Sequence, residues 1–325
     1  MIVKKLSGPS IVLEWETVET GGVERAVRGL SEINRQTAAL KHELSTPAEV
    51  IVCYERRVIS DEELHSVFDQ AAGSGGWACP IRFISVAPNT HYYEKKNIGA
   101  RASVNDIIIF IDTDLIPDPD WLRGFLTAFN DWSLSVLLGA THLDHVSAYE
   151  MAVALFWIFP PATHGRGIQP LHRYSSNNLA FRRAVFLKFP FPTRPTYRGQ
   201  CGELGQTLLG VGIPILEHTD SRATHPPPAG LSGFVHRSWS AGRDEHFYSG
   251  LSQKNSLTTW SHQLFHDYRV VAQRIRERSK VLRPSFQAVV LGWLLGWAYY
   301  SIKSAGYFAA LWRKGALETQ PHTAV

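Results

Sequence analysis

Cysteine is scarce in this chain. Cys53, Cys79 and Cys201 are the only three in 325 residues, at unrelated spacings. An odd number with no repeated interval excludes a disulfide framework and a cysteine zinc site, and it fits a reducing cytoplasm. Charge imbalance is lacking too. A net charge of +4, with 19% charged residues, gives no reason to expect a nucleic-acid partner. Near the start, Lys4 and Lys5 are followed by an apolar stretch of only Ile11 to Leu13, too short for a signal-peptide core. No internal repeat is present. A hydrophobic content of 44% excludes a disordered chain and an ordinary multi-span membrane protein. Aromatic residues, by contrast, are plentiful: 10 Trp, 11 Tyr and 16 Phe suit aromatic-lined pockets or a membrane interface. The length suffices for one large α/β domain with an appendage, or for two domains.

The first half alternates apolar runs with helical periodicity. Ile11 to Leu13 reads as a strand ending at Glu14-Trp15-Glu16, and Val23 to Leu40 as a helix with Val27, Leu30 and Ile33 on one face. Val50 to Cys53 is a second strand ending at Tyr54-Glu55, residues 61 to 72 a helix, and Ile81 to Val86 a third strand. Ile107 to Ile111 is a fourth, β-branched and aromatic without a charge, as expected of a strand buried on both faces. Strands alternating with helices predict βα units and a mostly parallel α/β sheet with flanking helices.

Asp112-Thr113-Asp114 stands where that fourth strand ends, with Pro117, Pro119 and Trp121 beyond it. Strand C-termini of open α/β sheets are where ligands bind. Paired carboxylates there suit a hard divalent cation, which takes oxygen ligands and brings phosphates with it. The triplet therefore points to an enzyme acting on a metal-bound phosphorylated substrate.

The second half is less regular. Met151 to Pro161 is apolar, Asn177 to Phe181 reads as a strand, and Pro190 to Pro195 as a loop. Gln206 to Val211 suits a helix stopped by Gly212, with Pro214 to Leu216 a further strand. Pro226-Pro227-Pro228 and Gly230 mark a break. Arg269, Arg274, Arg276, Arg278, Lys280 and Arg283 then form a basic stretch, and Ser285 to Trp312 holds one charge, Lys303. The uncharged run Ser285 to Ile302 approaches the ~20 residues that cross a bilayer. Cations on both sides favour a re-entrant or interfacial pair of helices over a clean span. Gly292 and Gly296 form a Gly-x-x-x-Gly packing signal. Residues 1–235 are read as the α/β domain and 236–325 as a helical region with a membrane-associating segment, 285–312.

Three segments in order resemble the family 2 glycosyltransferases of the GT-A fold, over about Pro9 to Phe247. They are Lys96-Asn97-Ile98-Gly99-Ala100-Arg101 leading through the aspartate triplet to Pro119-Asp120-Trp121-Leu122, then Ser176-Asn177-Asn178-Leu179-Ala180-Phe181-Arg182-Arg183, then the spacing from Gly212 through Pro214 to His225. The resemblance implies a nucleotide-diphospho-sugar donor and a glycan or lipid-linked acceptor, while the basic and apolar tail suggests work at the inner face of the cell membrane. It implies Mn²⁺ or Mg²⁺ held by Asp112, Asp114 and His225. Donor contacts would come from Glu16, Glu55, Lys96, Arg101, Asp112, Asn177, Asn178, Arg237 and Arg243.

The chain departs from the family where Gln200-Cys201 stands in place of the usual Glu-Asp, whose Asp is the acceptor base. Either Glu203, two residues on, is the base of an inverting transfer, or the base lies elsewhere. Two rivals remain. A catalytically inactive sugar-nucleotide-binding protein would share the donor site. A haloacid-dehalogenase-type phosphatase would use the first Asp of the triplet as nucleophile, normally near the start of its domain. Here three strands precede it.

Overall fold

The computed structural model describes residues 5–159, 161, 167–171, 174–194, 199–249 and 257–318. Close contacts divide the chain into two units, the first comprising Met1–His142, Ala162–Pro195 and Gln200–Pro226, the second Leu143–Pro161, Thr196–Gly199 and Pro227–Val325. Pro226 and Pro227 thus straddle one boundary.

The first unit begins β1 (Pro9–Glu14), α1 (Val18–Gly21), α2 (Val23–Leu40), β2 (Glu49–Tyr54), α3 (Asp61–Ala72), β3 (Ile81–Ser85), α4 (Tyr92–Ala102) and β4 (Ile107–Ile111). β3, β2, β1 and β4 lie side by side in that order and pair in parallel. β1, β2 and β4 are buried throughout, which is why they read as unbroken apolar runs. Parallel pairing brings their C-terminal ends to one edge, so Glu14, Glu55 and Asp112 meet there.

The sheet continues with β5 (Ile116–Pro117), β6 (Val136–Leu143), β7 (Ile168–Pro170), β8 (Asn178–Arg182) and β9 (Leu216–His225), interspersed with α5 (Trp121–Ala128), α7 (Arg183–Lys188) and α8 (Gln200–Gly210); α6 belongs to the second unit. Beyond β4 the order is β8, β6, β9, β5, and β8 runs antiparallel to both β4 and β6. The expected strand at Pro214 to Leu216 is displaced. It starts at Leu216 and runs to His225, through a polar sequence without an apolar period. β9 survives because Ser221 and Ala223, fully buried, are small enough to sit between neighbouring strands. Apolar side chains fill both faces of the sheet, Trp121, Phe125 and Leu30 on one, Phe110, Phe181 and Phe186 on the other.

The second unit is helical: α6 (Ala148–Phe156), α9 (Gly230–Ser249), α10 (Leu257–Leu282) and α11 (Phe286–Glu318). The expected pair of helices within 285–312 is instead one continuous helix of 33 residues. Among the described residues no helix is long and apolar enough to cross a membrane. The apolar length of α11 is spent largely within the unit, where Ala288, Leu295, Tyr300 and Ala310 are buried. Gly292 and Gly296 pack on α6: a Cβ at Gly292 would lie 3.1 Å from Leu155, and one at Gly296 3.3 Å from Phe156. Part of the basic stretch is structural as well. Arg274 donates to Phe156 O at 3.0 Å and Arg278 to Ala154 O at 2.7 Å, satisfying carbonyls that the end of α6 leaves open.

Candidate active site

The aspartate triplet lies on the shared strand edge, and the turn after it is tied on three sides. Leu115 N–H donates to Asp112 O at 3.0 Å, closing the turn. β5 then pairs antiparallel with β9, Ile116 opposite Thr224. That register carries His225 back beside Asp114, its Nε2 3.6 Å from Asp114 Oδ2. Arg25 of α2 donates through Nε to Asp114 O at 2.5 Å and through Nη2 to Thr224 O at 2.9 Å, clamping turn and strand end together. Gly21 of α1 comes so close that a Cβ there would lie 2.6 Å from Asp114 Cβ.

His225 Nδ1 sits 2.5 Å from Pro226 O, a carbonyl that can only accept, so Nδ1 donates there and Nε2 is the ring nitrogen turned toward Asp114. A carboxylate oxygen and an imidazole nitrogen face each other in a buried place, His225 being 4% and Asp114 0% exposed. The donor set fits a divalent cation that accepts both nitrogen and oxygen, Mn²⁺ better than Mg²⁺. Asp112 is turned elsewhere. Its Oδ1 accepts from Lys96 Nζ at 2.5 Å and from Tyr92 Oη at 2.6 Å. Among the described residues no group of three or more His, Cys, Asp or Glu side chains gathers closely enough to hold a metal. The structure thus brings together two of the three expected ligands.

Lys96 is fully buried, with its ammonium also donating to Ser176 O at 2.9 Å. It is the counter-charge of Asp112, not a surface group. Its neighbour Lys95, which the sequence reading passed over, reaches the other way, to Glu16 Oε2 at 2.7 Å and Glu55 Oε1 at 2.9 Å. These three line a cleft of about 300 Å³ with Trp15, Tyr54, Asn89 and His91. Asn89 N–H donates to Glu55 Oε2 at 2.9 Å, so both oxygens of Glu55 are engaged. Burial raises the Glu55 carboxyl, but the Lys95 and Asn89 bonds more than offset it and hold it below its ordinary value. Burial likewise lowers Lys95, and Glu16 and Glu55 more than reverse that.

Glu14 is a second residue absent from the expected site. Its carboxylate accepts from Glu16 N at 2.8 Å, Thr17 N at 3.2 Å and Thr17 Oγ1 at 2.8 Å, which shapes the turn after β1. Complete burial, reinforced by the charge of Asp112, pushes its carboxyl well above the usual range despite these donors. Thr113 Oγ1 donates to Glu14 O at 2.9 Å, joining this turn to the aspartate triplet.

The remaining expected residues divide. Asn177 O accepts from Asp112 N at 3.0 Å, and the side-chain amide of Asn177, 6% exposed as a residue, makes no hydrogen bond to the described residues. Asn178 is structural: Trp121 Nε1 donates to its Oδ1 at 2.8 Å, and its Nδ2 donates to Ser221 O at 3.0 Å. Arg101 is exposed and paired with Glu94 at 2.6 Å. Arg237 and Arg243 lie on α9 of the second unit, Arg243 bonded to Asp244 at 3.0 Å. Glu203, near the start of α8, is gripped by Arg194 through bonds of 3.1 and 2.5 Å. Cys201 is no substitute base, because burial pushes its thiol up and keeps it protonated.

The model of glycosyl transferase family 2 matches residues 48–189, a span that includes Glu55, Lys96, the aspartate triplet and Asn177. Over that span the chain is similar to the family 2 glycosyltransferases, the class that transfers sugar from a nucleotide sugar. No curated protein sequence matches the chain. Among solved structures it is similar to mannosyltransferase PcManGT from Pyrobaculum calidifontis in complex with GDP-Man and Mn²⁺, at 13% identity and a TM-score of 0.57, covering 94% of this chain and 87% of that one. A mycobacterial protein is similar at 17% identity and a TM-score of 0.44, over 73% of each chain. The first likeness shows the GT-A fold.

Proposed function

We propose that this chain moves a hexose from a nucleotide diphosphate to a glycan or lipid-linked acceptor, with inversion at the sugar carbon. The observation that carries this reading is the meeting of Asp114 with His225 at the end of β4, beside the cleft lined by Glu16, Glu55 and Lys95. Asp114 and His225 would hold Mn²⁺ or Mg²⁺, and such a cation, when bound, offsets the charge that develops on a leaving diphosphate. Such a cation would find further oxygen ligands in the phosphates and water, as hard cations prefer.

The chain's own residues have separable tasks. Lys96 and Tyr92 fix Asp112 through Oδ1, and Oδ2 would be the oxygen offered to the donor. In the cleft, Glu55 is saturated by Lys95 and Asn89, so Glu16 Oε1 and the Lys95 ammonium are the groups that would read a nucleobase edge, an acceptor beside a donor. The amide of Asn177 would take a bond from the donor. Glu203 would accept the proton of the acceptor hydroxyl, a step typically worth ~10²–10⁴-fold, after Arg194 lets go of the carboxylate.

That grip also favours a second reading, a protein that binds sugar nucleotides without transferring sugar. Purified protein incubated with Mn²⁺, a panel of nucleotide sugars and lipid extracts separates the two. Released nucleoside diphosphate together with a glycosylated product supports transfer, whereas donor-dependent thermal stabilisation without product supports the binding protein. Glu203→Gln is expected to abolish transfer and spare donor binding; an unchanged rate removes Glu203 from the reaction.

A further inference from the structure

Among the described residues, the second unit carries an exposed apolar face. At the end of α10, Arg283 adopts a left-handed conformation (φ 49°), Pro284 halts the helix, and Ser285 caps α11 by accepting from Ala288 N–H at 3.2 Å. The chain reverses there, since Tyr268 Oη lies 2.9 Å from Ser301 Oγ. The reversal gathers Lys280, Val281, Arg283 and Phe286 at one tip, with Val281 57% and Phe286 82% exposed. From Phe286 the exposed apolar residues continue as Val290, Leu294 and Trp297, spacings that keep them on one side of α11. Ala288 and Leu295 face the unit's interior instead.

The cations sort in the same way. Arg274 and Arg278 are consumed by carbonyls of α6, while Arg276, Lys280 and Arg283 are exposed. Between Arg269 and Trp312 the sequence has one acid, Glu277. A self-association surface would bring these cations against their copies, an arrangement that costs energy. Acidic headgroups would instead meet them with opposite charge.

We propose that the α10–α11 tip is an in-plane docking surface for an anionic lipid bilayer. Phe286, Val290, Leu294 and Trp297 enter the interfacial layer, and Arg276, Lys280 and Arg283 contact acidic headgroups. The proposal deepens the reading of a transferase whose acceptor is lipid-linked, and it is tested without any sugar transfer.

The test is co-sedimentation of the full chain with phosphatidylcholine vesicles, with and without phosphatidylserine. Binding is expected only with the anionic lipid, weakening as salt rises. Lys280→Glu with Arg283→Glu should lower it more than about tenfold, because each cation near such a surface contributes roughly fivefold. Phe286→Ser with Leu294→Ser should abolish it while leaving the thermal transition unchanged, since both side chains are exposed. Carbonate should release the wild type, as expected of a surface contact. Absence of binding, equal binding by the variants, or a lipid-free dimer that Phe286→Ser dissolves would each overturn the proposal. Vesicle binding by a chain that turns over no nucleotide sugar would uphold the surface and sink the transferase reading instead.

Discussion

Lys95 and Lys96 are adjacent in sequence yet serve different carboxylates, because successive residues on a helix point about 100° apart. Lys96 is the more costly to lose. Its ammonium is fully buried against Asp112, so Lys96→Met leaves an uncompensated charge inside the protein and should destabilise it by about 3–5 kcal/mol in denaturant unfolding. Lys95→Met should cost less, about 2 kcal/mol, because Glu16 keeps partial access to water. The Lys95 loss should also depend on pH. Glu55 is held below its ordinary 4.5, so its contribution is present above that value and fades as pH falls through the folded one. Lys95 is raised above 10.5, so its contribution is complete below that value and fades as pH rises further. The gap between wild type and Lys95→Met should therefore be widest at neutral pH and shrink in acid; a gap that persists unchanged in acid would rule out the ion triad as its cause.

At the scale of elements, packing in the second unit depends on backbone approach. A Cβ on Gly306 of α11 would lie 2.3 Å from Trp239 O on α9, and backbone cannot swing aside as a side chain does. Gly306→Ala should cost about 1–3 kcal/mol or more. Gly202 in α8 meets nothing within 4 Å, and Gly202→Ala should stabilise by about 0.5–1 kcal/mol through helix propensity. Thermal unfolding that ranks the two variants the other way would contradict this packing. The contrast between β4 and β9 explains what sequence reading reaches at this scale. Ile107 to Ile111 is buried on both faces and announces itself by composition. β9 is polar, its place secured by neighbours on either side, and the sequence carries no period that says so. β6 and the role of α6 were illegible for a related reason, since their apolar residues answer to partners distant along the chain.

For the molecule as a whole, the acidic strand edge was readable because parallel strands deliver their C-termini to one side, and Glu16, Glu55 and Asp112 follow from that rule. The pairing of Asp114 with His225 came only through family resemblance, and the β5–β9 register supplies its physical cause. Lys95, Arg25 and the Arg194–Glu203 pair were not readable, because a long cationic side chain gives no sign in sequence of which carboxylate or carbonyl it will meet. The central claim is that Asp114 and His225 bind a nucleoside diphosphate through a divalent cation. Equilibrium binding of GDP and UDP to the wild type and to Asp114→Asn, each with Mn²⁺ and with the metal chelated, tests it most directly. The account predicts that one nucleotide binds tightly only with Mn²⁺, and that Asp114→Asn weakens this by about a hundredfold or more. Binding that ignores both the metal and the substitution would contradict it.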